Sequence, residues 1–201
     1  MAVMIRAVVF DLGQVLSSPP DIHSHPAGLL GVPTDAYVAH YWSNRQGYDE
    51  GGTDADYWAP ILSGLGLPPE QATVDLLAHT DATIWTRIRP EAERLVADVH
   101  ATGLPTALLS NAPRALGAAI DAAPWRRHFD RVYVSAIIGS AKPKRAIYDH
   151  AAADLGVEPA SIAFVDDRPA NVEGASAAGW TSHLWVDDAD TRAWLESLGV
   201  L

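Results

Sequence analysis

Asp11 closes the apolar run Ala7-Val8-Val9-Phe10, and three further polar signals end runs later in the chain: Ser110-Asn111, Lys142-Pro143 and Asp166-Asp167. In open α/β sheets the carboxyl ends of the strands are where ligands bind. Taken singly, each signal has an ordinary reading, since Asp, Ser and Asn cap helices and shape turns, and Lys sits in solvated loops. On one shared sheet edge they become a nucleophilic carboxylate, a hydroxyl, an ammonium and a carboxylate pair. Those are the parts needed to handle a phosphoryl group. Asp11 can attack phosphorus to give an aspartyl-phosphate, while Mg²⁺, an oxygen-preferring ion, neutralises charge between carboxylate and phosphate. Ser110 and Lys142 would hold the equatorial oxygens as charge redistributes. Asp166 and Asp167 are adjacent carboxylates that repel each other unless a cation or hydrogen-bond donors offset them.

The elements that must position these groups follow from the pattern of apolar runs. Short β-branched runs at 5–10, 106–109, 131–134, 162–165 and 181–185 read as strands. Ala-rich stretches at 90–102, 113–121, 144–155, 169–178 and 188–198 read as helices, several opened by Pro and closed by Gly. That alternation predicts an α/β fold with a doubly wound parallel sheet. Residues 17–85 break the alternation and read as a small helical insert. Apolar spacing near 3.6 at Tyr37, Val38, Tyr41 and Trp42 predicts one helix, and 53–62 and 69–80 predict others, with Thr53 capping and Asp56 at the third position. The expected division is therefore a core of 1–16 and 86–201 and an insert of 17–85. An insert that leaves straight after the first strand emerges beside Asp11 and can act as a lid.

Composition limits the function classes. The 201 residues suffice for one sizeable core plus a small insert, and the hydrophobic fraction of 48% is that of a globular chain. A net charge of -11 argues against nonspecific nucleic-acid binding, although one Lys and a metal ion can still make a local positive site. Cys is absent, which excludes disulfides, Cys-ligated zinc and thiol catalysis and fits a cytoplasmic location. The first ten residues read as a strand rather than a signal peptide, and no apolar stretch approaches the roughly 20 residues that span a bilayer. A soluble protein is expected, with no membrane partner.

The segments Val9-Phe10-Asp11-Leu12-Gly13-Gln14-Val15-Leu16, Leu108-Leu109-Ser110-Asn111, Ser135-Ala136-Ile137-Ile138-Gly139-Ser140-Ala141-Lys142-Pro143 and Phe164-Val165-Asp166-Asp167 with Asn171-Val172-Glu173-Gly174-Ala175 resemble, in order, the four motifs of the haloacid dehalogenase-like (HAD) hydrolase superfamily. The resemblance implies a Rossmann-like core with a helical cap. It makes Asp11 the nucleophile, Ser110 and Lys142 the binders of phosphate or intermediate, and Asp166 the direct Mg²⁺ ligand. Asp167 would ligate through water or from behind, and residue 13 through its backbone carbonyl. Gly13 departs from the family pattern, in which phosphatases usually carry there an Asp that acts as general acid and then base. Glycine does neither, although family subgroups reading like Asp-Leu-Gly-Asn-Val include phosphatases. Unreplaced, that loss should cost roughly 10²- to 10⁴-fold in rate, or about 3 to 5 kcal/mol of barrier. Gln14 could orient a water but is too weak a base to substitute.

Other residues bear on selectivity. Trp42, Arg45 and Tyr48 recur at spacing three, either as a core-facing stripe with a solvated Arg or as a lid face from which Arg45 and Tyr48 select the substrate. Arg45 and Tyr48, together with Ser110, Asn111 and Lys142, form the expected substrate-binding set. His23-Ser24-His25 reads as a surface turn, and Trp125-Arg126-Arg127 as a helix end. The expected activity is Mg²⁺-dependent hydrolysis of a small phosphorylated metabolite such as a sugar phosphate. The alternatives are a 2-haloacid dehalogenase in which Asp11 attacks carbon without a metal, and a non-catalytic phospho-ligand or partner-binding module.

Overall fold

A computed structural model describes residues 4–201. The first strand, β1 (Ala7–Phe10), is followed by five helices: α1 (Ser24–Leu30), α2 (Thr34–Tyr41), α3 (Arg45–Asp49), α4 (Asp54–Gly64) and α5 (Gln71–Trp85). Then come α6 (Pro90–Ala101), β2 (Thr106–Ser110), α7 (Arg114–Ala122), β3 (Arg131–Val134), α8 (Ser135–Ile138), α9 (Arg145–Leu155), β4 (Ile162–Asp166), α10 (Pro169–Ala177), β5 (Thr181–Leu184) and α11 (Asp188–Ser197). All strand pairs are parallel, in the order β3-β2-β1-β4-β5. This is the doubly wound parallel α/β sheet the alternation predicts and the Rossmann-like core the resemblance implies. Among the described residues, no helix is long and apolar enough to cross a membrane.

The sheet is covered on both faces, and its central strands are correspondingly apolar, β1 throughout, β2 between Thr106 and Ser110, and β4 up to Asp166. Val8, Phe10, Leu108, Ala163 and Val165 point to one face, where they meet α6, α7 and α11 through Leu95, Ile120 and Leu195. Ala7, Val9, Leu109 and Phe164 point to the other, against Ile147 and Tyr148 of α9 and Ala175 of α10. The period of two along each strand thus assigns neighbouring residues to opposite cores. β2 and β3 lie on one side of β1, while β4 and β5 lie on the other. The sheet's switch point therefore falls between β1 and β4, where Asp11 and Asp166 end adjacent strands.

The insert has a hydrophobic cluster of its own, built on Tyr37, Tyr41, Tyr57, Trp58, Leu62 and Leu77. The predicted capping box is present: Thr53 Oγ1 accepts from the Asp56 N–H at 3.1 Å, and Asp56 accepts in return from the Thr53 N–H. α5 serves both clusters. Its Val74, Leu77 and Ala78 pack in the insert, while Ala82, Ile84 and Trp85 pack under the sheet. α5, which ends at Trp85, therefore belongs to both clusters.

Two local expectations are corrected. Ser24 and His25 lie in α1 rather than in a turn, and the His23 ring stacks edge-on against Tyr41 with centroids 5.0 Å apart. Trp42 does not share a helical face with Arg45 and Tyr48, because the chain leaves α2 after Tyr41 and re-enters helix only at Arg45. The break leaves Trp42 about half exposed while Arg45 and Tyr48 are buried.

Candidate active site

Asp11 extends β1 at its carboxyl end, its N–H donating to the Val165 carbonyl at 2.9 Å. Its Oδ1 accepts from the Leu12 N–H at 2.7 Å and pairs with Lys142 Nζ at 2.8 Å. The same ammonium donates to Asp166 Oδ2 at 2.6 Å, so one buried Lys bridges two buried carboxylates from neighbouring strands. Asp166 is held further by the Arg168 N–H at 2.9 Å and by Asn171 Nδ2, which reaches both its oxygens. Asp167 is half-buried beside it. Oxygen atoms of Asp11, Asp166 and Asp167 lie within 4.8 Å of one another.

The electrostatics follow from three carboxylates against one ammonium. Burial pushes the Asp11 carboxyl up to about 7, the Lys142 ammonium pulls it back, and Asp166 pushes it up again. Burial and then the Asp166 charge also raise Asp167. Such a cluster is short of positive charge, and its donors are all oxygens. An all-oxygen, carboxylate-rich set suits a hard divalent cation such as Mg²⁺.

Lys142 owes its position to the loop that carries it. The Asn111 side chain clamps the Lys142 backbone, Nδ2 donating to the Lys142 carbonyl at 2.9 Å and Oδ1 accepting from its N–H at 2.8 Å. α10 presses on the next residue: a Cβ at Gly174 would lie 2.8 Å from the Pro143 carbonyl oxygen, so only glycine permits this approach. Asn111 was expected to bind substrate. It lines the cavity, and its amide spends one N–H and one oxygen lone pair on the Lys142 backbone.

These groups open onto a cavity of about 650 Å³ walled by Leu12, Trp42, Trp85 and Leu116, with Ser110, Asn111, Lys142 and Asp167 at its base. No hydrogen bond from the Ser110 hydroxyl forms among the described residues. Gly13 also lines the cavity, and a Cβ there would meet only Trp85 ring carbons at 3.7 and 4.0 Å, an ordinary contact. Packing therefore does not demand glycine at 13. The neighbouring Gln14 adopts φ 61°, a left-handed backbone, and its Oε1 accepts from Ser18 Oγ at 3.3 Å.

The insert supplies the opposite wall, and here the two expected selectivity residues differ. Tyr48 does not line this cavity; its ring stacks on Tyr57 with centroids 4.3 Å apart and its hydroxyl donates to Asp54 at 2.6 Å. Arg45 does reach the wall, but not as a free cation. Its Nε pairs with Asp49 at 2.9 Å, and its Nη1 with Asp81 at 3.1 Å and with the Tyr41 hydroxyl at 2.6 Å. A guanidinium facing one buried and one part-buried carboxylate is already neutralised.

Asp49, the last residue of α3, was not singled out by its sequence context. Burial pushes its carboxyl up to about 6 against the pull of Arg45, well above the ordinary 3.8. The folded state thus prefers Asp49 protonated: its stabilising contribution is complete below about pH 4 and is lost as pH rises through about 6. Asp49→Asn keeps the shape without ionising. The urea-unfolding free energy of the wild type is expected to fall relative to this variant by on the order of 2 kcal/mol between pH 4 and pH 7. A difference that does not change with pH contradicts this.

Asn171 stands in the fourth motif without an assigned role, and the Arg168 backbone was not singled out; the usable signal was a polar Asn on the sheet-facing side of α10, where the helix otherwise presents Ala175 to the core.

A doubly wound parallel sheet with carboxylates and a lysine at its switch point defines a class of hydrolase, and the comparisons agree. The profile of the haloacid dehalogenase-like hydrolases matches residues 5–179, and the chain belongs to that family. It is 36% identical to a phosphoserine phosphatase of Thermus thermophilus over 100 residues, 49% of this chain and 40% of that protein. It is 25% identical to a sesquiterpene phosphatase of Aspergillus oryzae over 207 residues, covering 98% of each. Among solved structures, L-2-haloacid dehalogenase of Xanthobacter autotrophicus has a TM-score of 0.74 at 23% identity, over 98% of this chain and 85% of that one. A HAD-family enzyme of Bacteroides thetaiotaomicron, in complex with magnesium and inorganic phosphate, has a TM-score of 0.67 at 17% identity, over 90% and 93%. At those identities the structures speak for the fold alone.

Proposed function

We propose that the protein is a Mg²⁺-dependent phosphomonoesterase acting on a small phosphorylated metabolite through an aspartyl-phosphate on Asp11. The observation that carries this reading is the surplus of negative charge: Asp11, Asp166 and Asp167 converge while, among the described residues, Lys142 supplies the one ammonium between the first two. A dehalogenase that needs no metal has no use for such a cluster. Asp11, Asp166 and Asp167 would hold the ion, with Gly13 contributing its carbonyl. The bound cation would neutralise charge between the carboxylates and the phosphoryl group. Lys142 orients Asp11 and, with Ser110, donates to the phosphoryl oxygens as charge moves onto them.

The apolar walls at Trp42, Trp85 and Leu116 leave room for an organic portion of the substrate. The test is phosphate release from a panel of sugar phosphates, aryl phosphates and prenyl-type alkyl phosphates. Steady release with Mg²⁺, abolished by a chelator and restored by added Mg²⁺, is expected. Halide release from 2-haloacids without added metal establishes the dehalogenase instead, and phosphate-ester binding without turnover establishes a binding module.

A further inference from the structure

We propose that Asp49 is the proton carrier of this site, the acid that protonates the leaving group and the base that then activates water. The inference rests on the phosphatase reading above and asks which residue performs the task for which residue 13 has no side chain. Four carboxyl groups line the cavity: Asp11, Asp49, Glu50 and Asp167. Asp11 is esterified during the reaction and Asp167 belongs to the acidic cluster. Glu50 pairs with Lys144 at 2.8 Å, which holds its carboxyl below the usual range and keeps it ionised, unable to donate. Asp49 remains.

Its setting fits the task. Oδ1 accepts from Arg45 Nε, while Oδ2 makes no hydrogen bond among the described residues. The Asp49 carbonyl accepts from the Ser135 hydroxyl at the start of α8, which pins this end of α3 to the sheet domain. The charged groups facing Asp49 are Arg45 on its own helix, Asp81 of α5 and Arg168 in the turn after β4. Burial raises the Asp49 carboxyl to about 6 against the pull of Arg45, which Asp81 shares, and this brings it toward the range where general acid–base catalysis is effective.

The steps balance as follows. An Asp11 oxygen bonds to phosphorus as the ester P–O bond breaks, and the Asp49 carboxyl proton passes to the departing oxygen, releasing an alcohol. Water then attacks the phosphoryl group of the Asp11 ester and gives its proton to the Asp49 carboxylate. The acyl-phosphate bond breaks, which returns phosphate, ionised Asp11 and protonated Asp49.

Leaving-group dependence tests this. For Asp49→Asn, kcat/KM is expected to fall by roughly 10²- to 10⁴-fold on the alkyl phosphate that the wild type hydrolyses best. On p-nitrophenyl phosphate, whose leaving group needs no proton, it should fall less than about tenfold. The double variant Gly13→Asp/Asp49→Asn should recover alkyl-phosphate turnover, since residue 13 has room for a side chain. Equal losses on both substrates without that recovery, or no loss at all, overturn the proposal and mark Asp49 as structural or idle. A wild type that hydrolyses neither ester overturns the phosphatase reading and this proposal with it, a result distinct from activity that ignores Asp49.

Discussion

Replacing Asp11 by Asn is expected to lower kcat for phosphate-ester hydrolysis by about 10⁴-fold or more, equivalent to at least about 5 kcal/mol of barrier. The amide is nearly isosteric but not nucleophilic, so the covalent route closes. The loss should be chemical rather than structural. Lys142 keeps its 2.6 Å bond to Asp166 in the variant, and the Asp11 carboxylate is a group whose burial already disfavours its charge. Removing that charge should leave the urea midpoint unchanged or raise it. Retained turnover in a well-folded Asp11→Asn protein would rule out Asp11 as nucleophile.

Lys142→Ala should act on both folding and rate. In the wild type the ammonium is buried and paired with Asp11 at 2.8 Å and Asp166 at 2.6 Å. Without it, two buried carboxylates face each other unneutralised, and breaking a buried pair by removing one partner costs about 3–5 kcal/mol. The deficit should shrink as pH falls, because both carboxyls can then protonate and shed the repulsion. The rate should drop by a further 10²–10³-fold, about the effect of losing one preorganised donor to a developing charge. Urea melts at pH 5 and pH 8 and kinetics of the folded variant check the two parts. A stability loss that grows toward low pH contradicts the account.

The sheet was legible in the sequence because buried parallel strands are unbroken apolar runs, and the carboxylates that end them stand out against those runs. β3 was read to the residue, and β2 and β4 each extend one residue further, to Ser110 and Asp166, because the site residues themselves complete the ladder. The insert was less legible. α1 and α3 span seven and five residues, too few for apolar periodicity to declare itself, and the interruption at Trp42 carries neither Gly nor Pro to mark it. The remaining gap concerns partnership across the chain. Arg45 meets Asp81 thirty-six residues away, and Asn111 clamps the Lys142 backbone thirty-one residues away. No local spacing rule records such pairs. They engage within the protein an Arg and an Asn that were expected to meet substrate, and the same Arg45 also pairs with Asp49.

The central claim is that Asp11 becomes covalently phosphorylated during turnover. Its most direct test is to mix the protein with Mg²⁺ and a hydrolysed phosphate ester, quench in acid within milliseconds and determine intact and peptide masses. The account predicts a transient adduct of one phosphoryl group on the peptide that contains Asp11, absent in Asp11→Asn and prolonged in Asp49→Asn. Phosphate release at full rate with no such adduct, or an adduct on any other residue, contradicts it.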